Sequence, residues 1–205
     1  MIRTSLVAGL ALGAALLSPN VASAQYAGRA TQANYSQDDV GSPRRTYSSN
    51  EILDKGHHFF GSATRGLAGV VEKAVSTWGE PDGYILGEEG SGAFVGGLRY
   101  GEGRLFTRAG DGERRVYWQG PSLGFDWGGD GDRTMILVYN LRSTEDLYNR
   151  FAGVNGSAYL IGGFSMTALK GYDTVLVPIR TGLGARLGLN VGYLKFTERS
   201  TWNPF

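Results

Sequence analysis

Strict alternation of apolar residues with glycine and polar residues near the C-terminus is the feature that most limits the fold. The apolar positions are Leu183, Ala185, Leu187, Leu189, Val191 and Tyr193. Side chains of an extended strand point alternately to its two faces, so this period of two predicts a strand with one apolar face. Glycines occupy much of the opposite face and allow a long strand to bend sharply. The pattern therefore predicts strongly curved β-structure.

Other segments after Pro81 repeat this period. One alternating run is Leu123, Phe125 and Trp127, and another is Ala158, Leu160, Phe164, Met166 and Ala168, which we expect to share one face. Met135–Val138 is apolar on both faces and predicts a central strand, whereas Pro178 moves Thr174–Arg180 towards an edge. The fold class predicted is mainly β, a small antiparallel β-barrel or strongly bent sheet.

One long helical pattern precedes these strands. Ser48 and Glu51 have the spacing of a capping box, and apolar residues then recur at helical intervals. Gly79 and Pro81 end the pattern. We predict one long amphipathic helix (about 48–78), which Gly61 could divide, covering the open side of the barrel. A short helix (about 144–151) is predicted between strands.

The N-terminal segments differ in composition from the rest. Arg3, an apolar run and the small residues 22–24 predict a cleaved signal peptide over 1–24, and therefore a soluble periplasmic protein. Residues 25–47 hold few large aliphatic side chains, which favours a flexible arm. Residues 48–205 are predicted to form a single β-barrel domain.

Charge and residue usage exclude several classes of function. Twenty Lys and Arg balance nineteen Asp and Glu, which argues against a nucleic-acid-binding protein. Cysteine is absent, so thiol catalysis and cysteine-based metal sites are excluded. The glycines of 182–188 superficially resemble a dinucleotide-binding loop, but they lead into a strand rather than a helix. We expect no nucleotide and no other cofactor.

The remaining polar motifs do not form a recognisable catalytic or metal site. His57 and His58 are adjacent on the predicted helix, so they cannot both face one site. The Asp-Gly pairs of 128–132 are typical of a hairpin turn, and they lack the spacing of a calcium loop. We therefore predict no catalytic residue and no metal ligand.

Arginines and aromatic residues crowd between positions 99 and 118. Arginine binds phosphate or carboxylate in bidentate fashion, and aromatic rings can wall an apolar pocket. A curved sheet with such a rim could hold an anionic amphiphile, although core aromatics and solvated arginines would give the same pattern. The candidate ligand-binding residues are Arg99, Tyr100, Arg104, Trp118 and Trp127.

Several stretches identify a known family. They are Phe59–Ser62, Gly96–Gly103, Tyr117–Ser122 and Met135–Leu141. In these stretches the chain resembles the envelope-integrity protein A (EipA) family, a periplasmic domain of Gram-negative bacteria. More distantly, the order of its elements, including the Tyr-Gly-Glu-Gly turn of 100–103, is similar to the SYLF lipid-binding domain. The resemblance implies a role in the cell envelope and assigns no catalytic residue.

We therefore expect a non-catalytic periplasmic protein that supports envelope integrity by binding a lipid or another envelope amphiphile. Two alternatives stay open. One is a scaffold that binds another envelope protein without a small-molecule ligand, and the other is a hydrolase with an unrecognised site.

Overall fold

Six segments of the chain are described by the computed structural model: residues 45–61, 65–92, 98–108, 112–121, 132–181 and 193–203. The chain divides into residues 1–42 and 43–205, and all described residues belong to the second unit. The predicted signal peptide, most of the predicted arm, the run 123–127 and the alternating positions 183–192 lie outside the described residues.

The predicted helical pattern forms two helices, divided at Gly61. Helix α1 (Ser49–Phe60) is capped by Ser48, whose hydroxyl accepts a hydrogen bond from the Glu51 amide while the Glu51 carboxylate accepts one from the Ser48 amide. The helix ends at Gly61, which adopts φ 82°. This left-handed conformation favours glycine and terminates a helix, so the predicted division at Gly61 is confirmed. Helix α2 (Arg65–Trp78) then leads to Gly79 and Pro81.

The described residues form ten strands. They are β1 (Gly83–Gly92), β2 (Leu98–Thr107), β3 (Glu113–Pro121), β4 (Asp132–Tyr139), β5 (Arg150–Gly153), β6 (Tyr159–Ile161), β7 (Phe164–Met166), β8 (Leu169–Gly171), β9 (Thr174–Thr181) and β10 (Tyr193–Thr197). The predicted short helix is only a 3-10 turn, Thr144–Leu147, because β5 begins at Arg150.

Eight of these strands close into an antiparallel barrel. Their order is β4-β1-β2-β3-β10-β5-β8-β9, and β9 pairs back onto β4. Strands β7 and β6 extend the sheet beyond β9. The predicted β-barrel is therefore confirmed, and Met135–Val138 is central because β4 pairs with β1 on one side and β9 on the other.

The prediction of an edge strand at Thr174–Arg180 is wrong. Strand β9 pairs with β4 along one side and with both β8 and β7 along the other. Pro178 is tolerated because it lies where the neighbour changes from β8 to β7, and its carbonyl accepts a hydrogen bond from the Thr167 amide. A backbone N–H at position 178 would face this junction, so its absence in proline costs the sheet little hydrogen bonding.

Alternation along the strands separates two apolar cores. Ile136 and Val138 of β4 point into the barrel, whereas Met135, Leu137 and Tyr139 point outwards against the helices. The outer core also contains Ile52 of α1 and Leu67, Val70, Val71 and Ala74 of α2. Ala158 and Leu160 differ from the prediction because the turn at Gly162 and Gly163 separates β6 from β7, and both side chains are exposed.

Glycines in β1 and β2 make room for a tryptophan inside the barrel. Trp118 is fully buried, and a Cβ atom added to Gly101 would lie 2.0 Å from its Cε2 atom. A Cβ at Gly87 would lie 2.7 Å from its Cη2 atom. The indole therefore packs directly on the backbone of both strands, which explains Gly101. The predicted Tyr-Gly-Glu-Gly turn of 100–103 is wrong, because these residues lie within β2 and pair with β1 and β3.

This packing predicts that Gly101→Ala destabilises the protein strongly. The new methyl group would overlap an indole ring that is enclosed by the barrel, and overpacking of a filled core costs about 1–3 kcal/mol. Chemical denaturation of the parent and the variant measures the change in unfolding free energy.

Gly90→Ala is the matched control, because a Cβ at this β1 position meets no atom within 4 Å. Its unfolding free energy should stay within about 0.5 kcal/mol of the parent value or rise. Equal stability of the two variants would contradict the packing described for Trp118.

Candidate functional site

A buried carboxylate lies inside the barrel towards the ends of β1 and β9. Glu89 accepts hydrogen bonds from Arg99 Nη1 at 3.1 Å, Arg180 Nε at 3.2 Å, Arg180 Nη2 at 3.0 Å and Trp118 Nε1 at 2.9 Å. Each of these side chains points inwards because its position has the same parity as the interior residues of its strand. We call Glu89, Arg99, Trp118 and Arg180 the buried cluster.

The electrostatics of the buried cluster favour the ionised carboxylate. Burial alone would raise the pKa of Glu89, but the guanidinium groups of Arg180 and Arg99 outweigh it and lower the pKa to about 2. The Glu89 side chain is only 9% exposed, and the two arginine side chains are 7% exposed. Because its oxygens already accept four hydrogen bonds, the carboxylate acts as a cross-link between β1, β2, β3 and β9.

The predicted ligand-binding residues do not form one site. Arg99 and Trp118 belong to the buried cluster, whereas Arg104 lies on the outer surface and binds Glu113 at 2.8 Å. Arg99 and Arg104 are five residues apart in β2, so an odd spacing places them on opposite faces. Tyr100 is also on the outer surface, where its hydroxyl donates to the carbonyl of Trp202 at 2.9 Å. Trp127 lies outside the described residues.

Sequence reasoning did not single out Glu89 for this role, and it missed Arg180. The alternation along β1 does indicate a buried charge, because Ile85, Gly87 and Glu89 share one face of the strand. A charged residue at an apolar position of such a strand requires a buried partner. The partner Arg180 is 91 positions away in the sequence, and no local pattern connects the two.

A second polar feature lies on the outer surface of β10, β5 and β8. Arg150, Lys170 and Lys195 point outwards here, with Tyr193 on the same strand face and Tyr172 in the turn after β8. In the register, Lys195 lies directly opposite Arg150, and Lys170 lies opposite Ala152. We call these five residues, Arg150, Lys170, Tyr172, Tyr193 and Lys195, the basic face.

Two cations of the basic face, Arg150 and Lys170, lack an acidic partner among the described residues. Within the described segments, neither Arg150 nor Lys170 has a carboxylate within ion-pair distance, and Lys195 Nζ donates to the carbonyl of Asn203 at 3.3 Å. The neighbouring Asp173 is engaged by Arg142 at 2.6 Å. Like charges directly opposite each other destabilise a sheet. Arg150 and Lys170 therefore leave positive charge at this surface, and Arg150 stands beside a like charge in the register.

Two open grooves meet at the basic face. One, of about 800 Å³, is lined by Arg150, Ala152, Lys170, Tyr172 and Tyr193 among others, and the second, of about 530 Å³, by Arg150, Lys195, Glu198 and Arg199 among others. Asn149 and Arg150 line both. The surface thus offers a concave path with cations along it, and such a path fits an extended anionic ligand.

The described part of the chain has neither a group of metal-ligating side chains nor a membrane-spanning helix. Across its six segments, no three or more His, Asp or Glu side chains are grouped so that they could hold a metal ion. Within the same segments, none of the helices combines the length and the apolar composition needed to cross a bilayer.

Comparisons with known proteins identify similar chains. The sequence model of a family described as envelope integrity protein A matches residues 45–205. A crystal structure of a β-barrel-like, uncharacterised protein from Brucella abortus is 58% identical to the chain, with a TM-score of 0.75. This match covers 79% of the present chain and 100% of the Brucella chain. No curated protein shows significant similarity.

The buried cluster predicts an acid-sensitive contribution to stability. The pKa of Glu89 is lowered from 4.5 to about 2 in the folded protein, so its contribution is fully present above pH 4.5 and is lost as the pH falls towards 2. Glu89→Gln leaves two buried guanidinium groups without their carboxylate and should reduce the unfolding free energy at about pH 7 by about 3 kcal/mol. Urea denaturation across this pH range should show the difference from the parent shrinking with acidification.

Glu88→Gln is the control, since Glu88 is exposed on the other face of the same strand. It should unfold like the parent at every pH. A Glu89→Gln deficit that is independent of pH would show that the carboxylate charge is not the stabilising element.

Proposed function

Because the chain belongs to the envelope integrity protein A family, we propose that it supports the cell envelope from the periplasm by binding an anionic envelope amphiphile, without catalysing a reaction. The family implies the role in envelope integrity. The predicted signal peptide supports the periplasmic location. The basic face supports the binding of an anionic group.

The observation that carries this proposal is the position of Arg150 directly opposite Lys195 at the junction of two grooves. A like-charge cross-strand pair reduces folding stability. An anion placed between the two cations would relieve this repulsion and form charge-assisted hydrogen bonds. Lys170 lies one strand further and extends the same positive surface.

Packing inside the barrel argues for an external binding site. Trp118, Phe151 and Phe196 fill the interior together with nine other apolar side chains. Arg99 of the buried cluster already binds Glu89 and the carbonyl of Pro121. An amphiphile whose head group met Arg99 and whose tail entered the barrel would have to displace this core, so the outer surface is the more favourable site.

The absence of catalysis is proposed on the chemistry of the polar groups. The oxygens of Glu89 are occupied by four donors, which leaves the carboxylate poorly placed as a base or nucleophile. His58 lies on the exposed side of α1, where its Nδ1 atom is 2.8 Å from the Asp54 carbonyl. Neither group faces the grooves at the basic face.

The proposal predicts opposite effects of Arg150→Glu on binding and on stability. The variant removes one cation and places a carboxylate opposite Lys195, so the fold should gain up to about 1 kcal/mol. The substitution changes the surface charge by two units, at about 1 kcal/mol for each unit near an anionic surface, so affinity for vesicles that contain phosphatidylglycerol should fall about thirtyfold. Vesicle co-sedimentation at low ionic strength and thermal denaturation measure the two effects.

Lys55→Glu is the control for charge reversal, because Lys55 is exposed on α1, away from the basic face. It should bind vesicles nearly as the parent does. Equal losses of affinity for both variants would show that binding depends on net charge alone. Equal affinity of the Arg150→Glu variant and the parent would show that the basic face is not the binding site. Arg104→Glu tests the site first predicted from the sequence, and it should retain binding.

A further inference from the structure

We infer that Tyr172 anchors the basic face to the surface of an anionic phospholipid bilayer, so that the protein docks on the membrane rather than carrying a lipid away. This inference rests on the proposed function and specifies its ligand as a lipid head group within a bilayer. Tyr172 lies in the turn between β8 and β9, at the opposite end of β9 from Arg180.

The Tyr172 side chain projects into solvent. It is 84% exposed and lines the groove that also contains Arg150 and Lys170. Across the described residues, its side chain makes no ring contact and no hydrogen bond with another side chain or the backbone. A large aromatic group in this position contributes little to the folded core, so its presence requires another explanation.

The backbone conformation of Tyr172 also indicates a role other than folding. Its φ is 53°, a left-handed conformation in which glycine is favoured and a bulky residue is strained. Asn140, which has a similar φ of 57°, donates a side-chain hydrogen bond to the Asp173 carbonyl and is a residue type that tolerates this region. Tyr172 has neither compensation. Strain of this kind is commonly retained at functional positions.

The chemistry around Tyr172 fits a membrane surface. Tyrosine is enriched at the boundary between lipid head groups and acyl chains, where its ring is buried and its hydroxyl stays hydrated. Lys170 is two residues away, and Arg150 and Lys195 continue the positive surface towards β10. Cations near a membrane are attracted to anionic head groups. The aromatic ring and the cations together match this interface.

A docked bilayer also agrees with the filled barrel. Phe151 and Leu169 of β5 and β8 point inwards and are completely buried. The strands beneath the basic face therefore offer no internal space for acyl chains. The head groups would contact the cations from outside while the acyl chains stay in the membrane.

Replacement of Tyr172 by glycine separates the anchoring role from a structural one. Tyr172→Gly relieves the backbone strain, so its melting temperature should equal or exceed that of the parent. Its affinity for phosphatidylcholine vesicles that contain phosphatidylglycerol should fall about fivefold, since one interfacial aromatic side chain is lost. Tyr172→Trp should restore the affinity. Both variants are measured on protein expressed from the full sequence, by vesicle co-sedimentation and thermal denaturation.

The outcomes distinguish this inference from the proposed function. If Arg150→Glu loses binding while Tyr172→Gly binds like the parent, the anchor is wrong and the basic face remains. If Tyr172→Gly lowers the melting temperature and Tyr172→Trp fails to restore binding, Tyr172 is a structural residue and the inference is overturned. If the parent does not bind anionic vesicles, both the inference and the proposed function fail.

Discussion

The carboxylate of Glu89 is the interaction on which the barrel interior depends. It joins Arg99 of β2, Trp118 of β3 and Arg180 of β9 to β1 through four hydrogen bonds. Removing one member of a buried ion cluster leaves the others charged and unpaired, which costs far more than loss of a surface ion pair. Gly87 and Gly101 allow Trp118 to approach closely enough to take part. The glycines of β1 and β2 and the buried cluster thus fill the barrel interior together.

The apolar core inside the barrel favours a binding site on the outer surface, which has two different sides among the described residues. Helices α1 and α2 cover the apolar outer side of β4, β7 and β9. Strands β10, β5 and β8 carry the basic face on their outer side. The exposed Tyr172, with its left-handed backbone, and Arg150, which lies opposite Lys195 in the register, are both on this side. The strained backbone of Tyr172 and the juxtaposed cations are the physical basis for proposing a binding role there.

Features encoded by neighbouring residues could be predicted from the sequence, whereas those that depend on distant pairing could not. The capping box of Ser48 and Glu51 and the central strand at Met135–Val138 follow from local spacing. The burial of Arg99 and the exposure of Arg104 also follow from parity once β2 is known. The partnership of Glu89 with Arg180 and the pairing of Arg150 with Lys195 depend on barrel closure. The prediction of an edge strand from Pro178 was wrong because β9 changes its neighbour from β8 to β7 beside this residue.

Amide hydrogen exchange with and without anionic vesicles is the most direct test of binding at the outer surface. Binding at the basic face predicts slower exchange in the segments 150–153, 169–174 and 193–197 when vesicles containing phosphatidylglycerol are added, with no change in β1 and β2. Neutral phosphatidylcholine vesicles should leave all segments unchanged. Protection confined to β1 and β2, or no protection by anionic vesicles, would contradict the assignment of binding to the basic face.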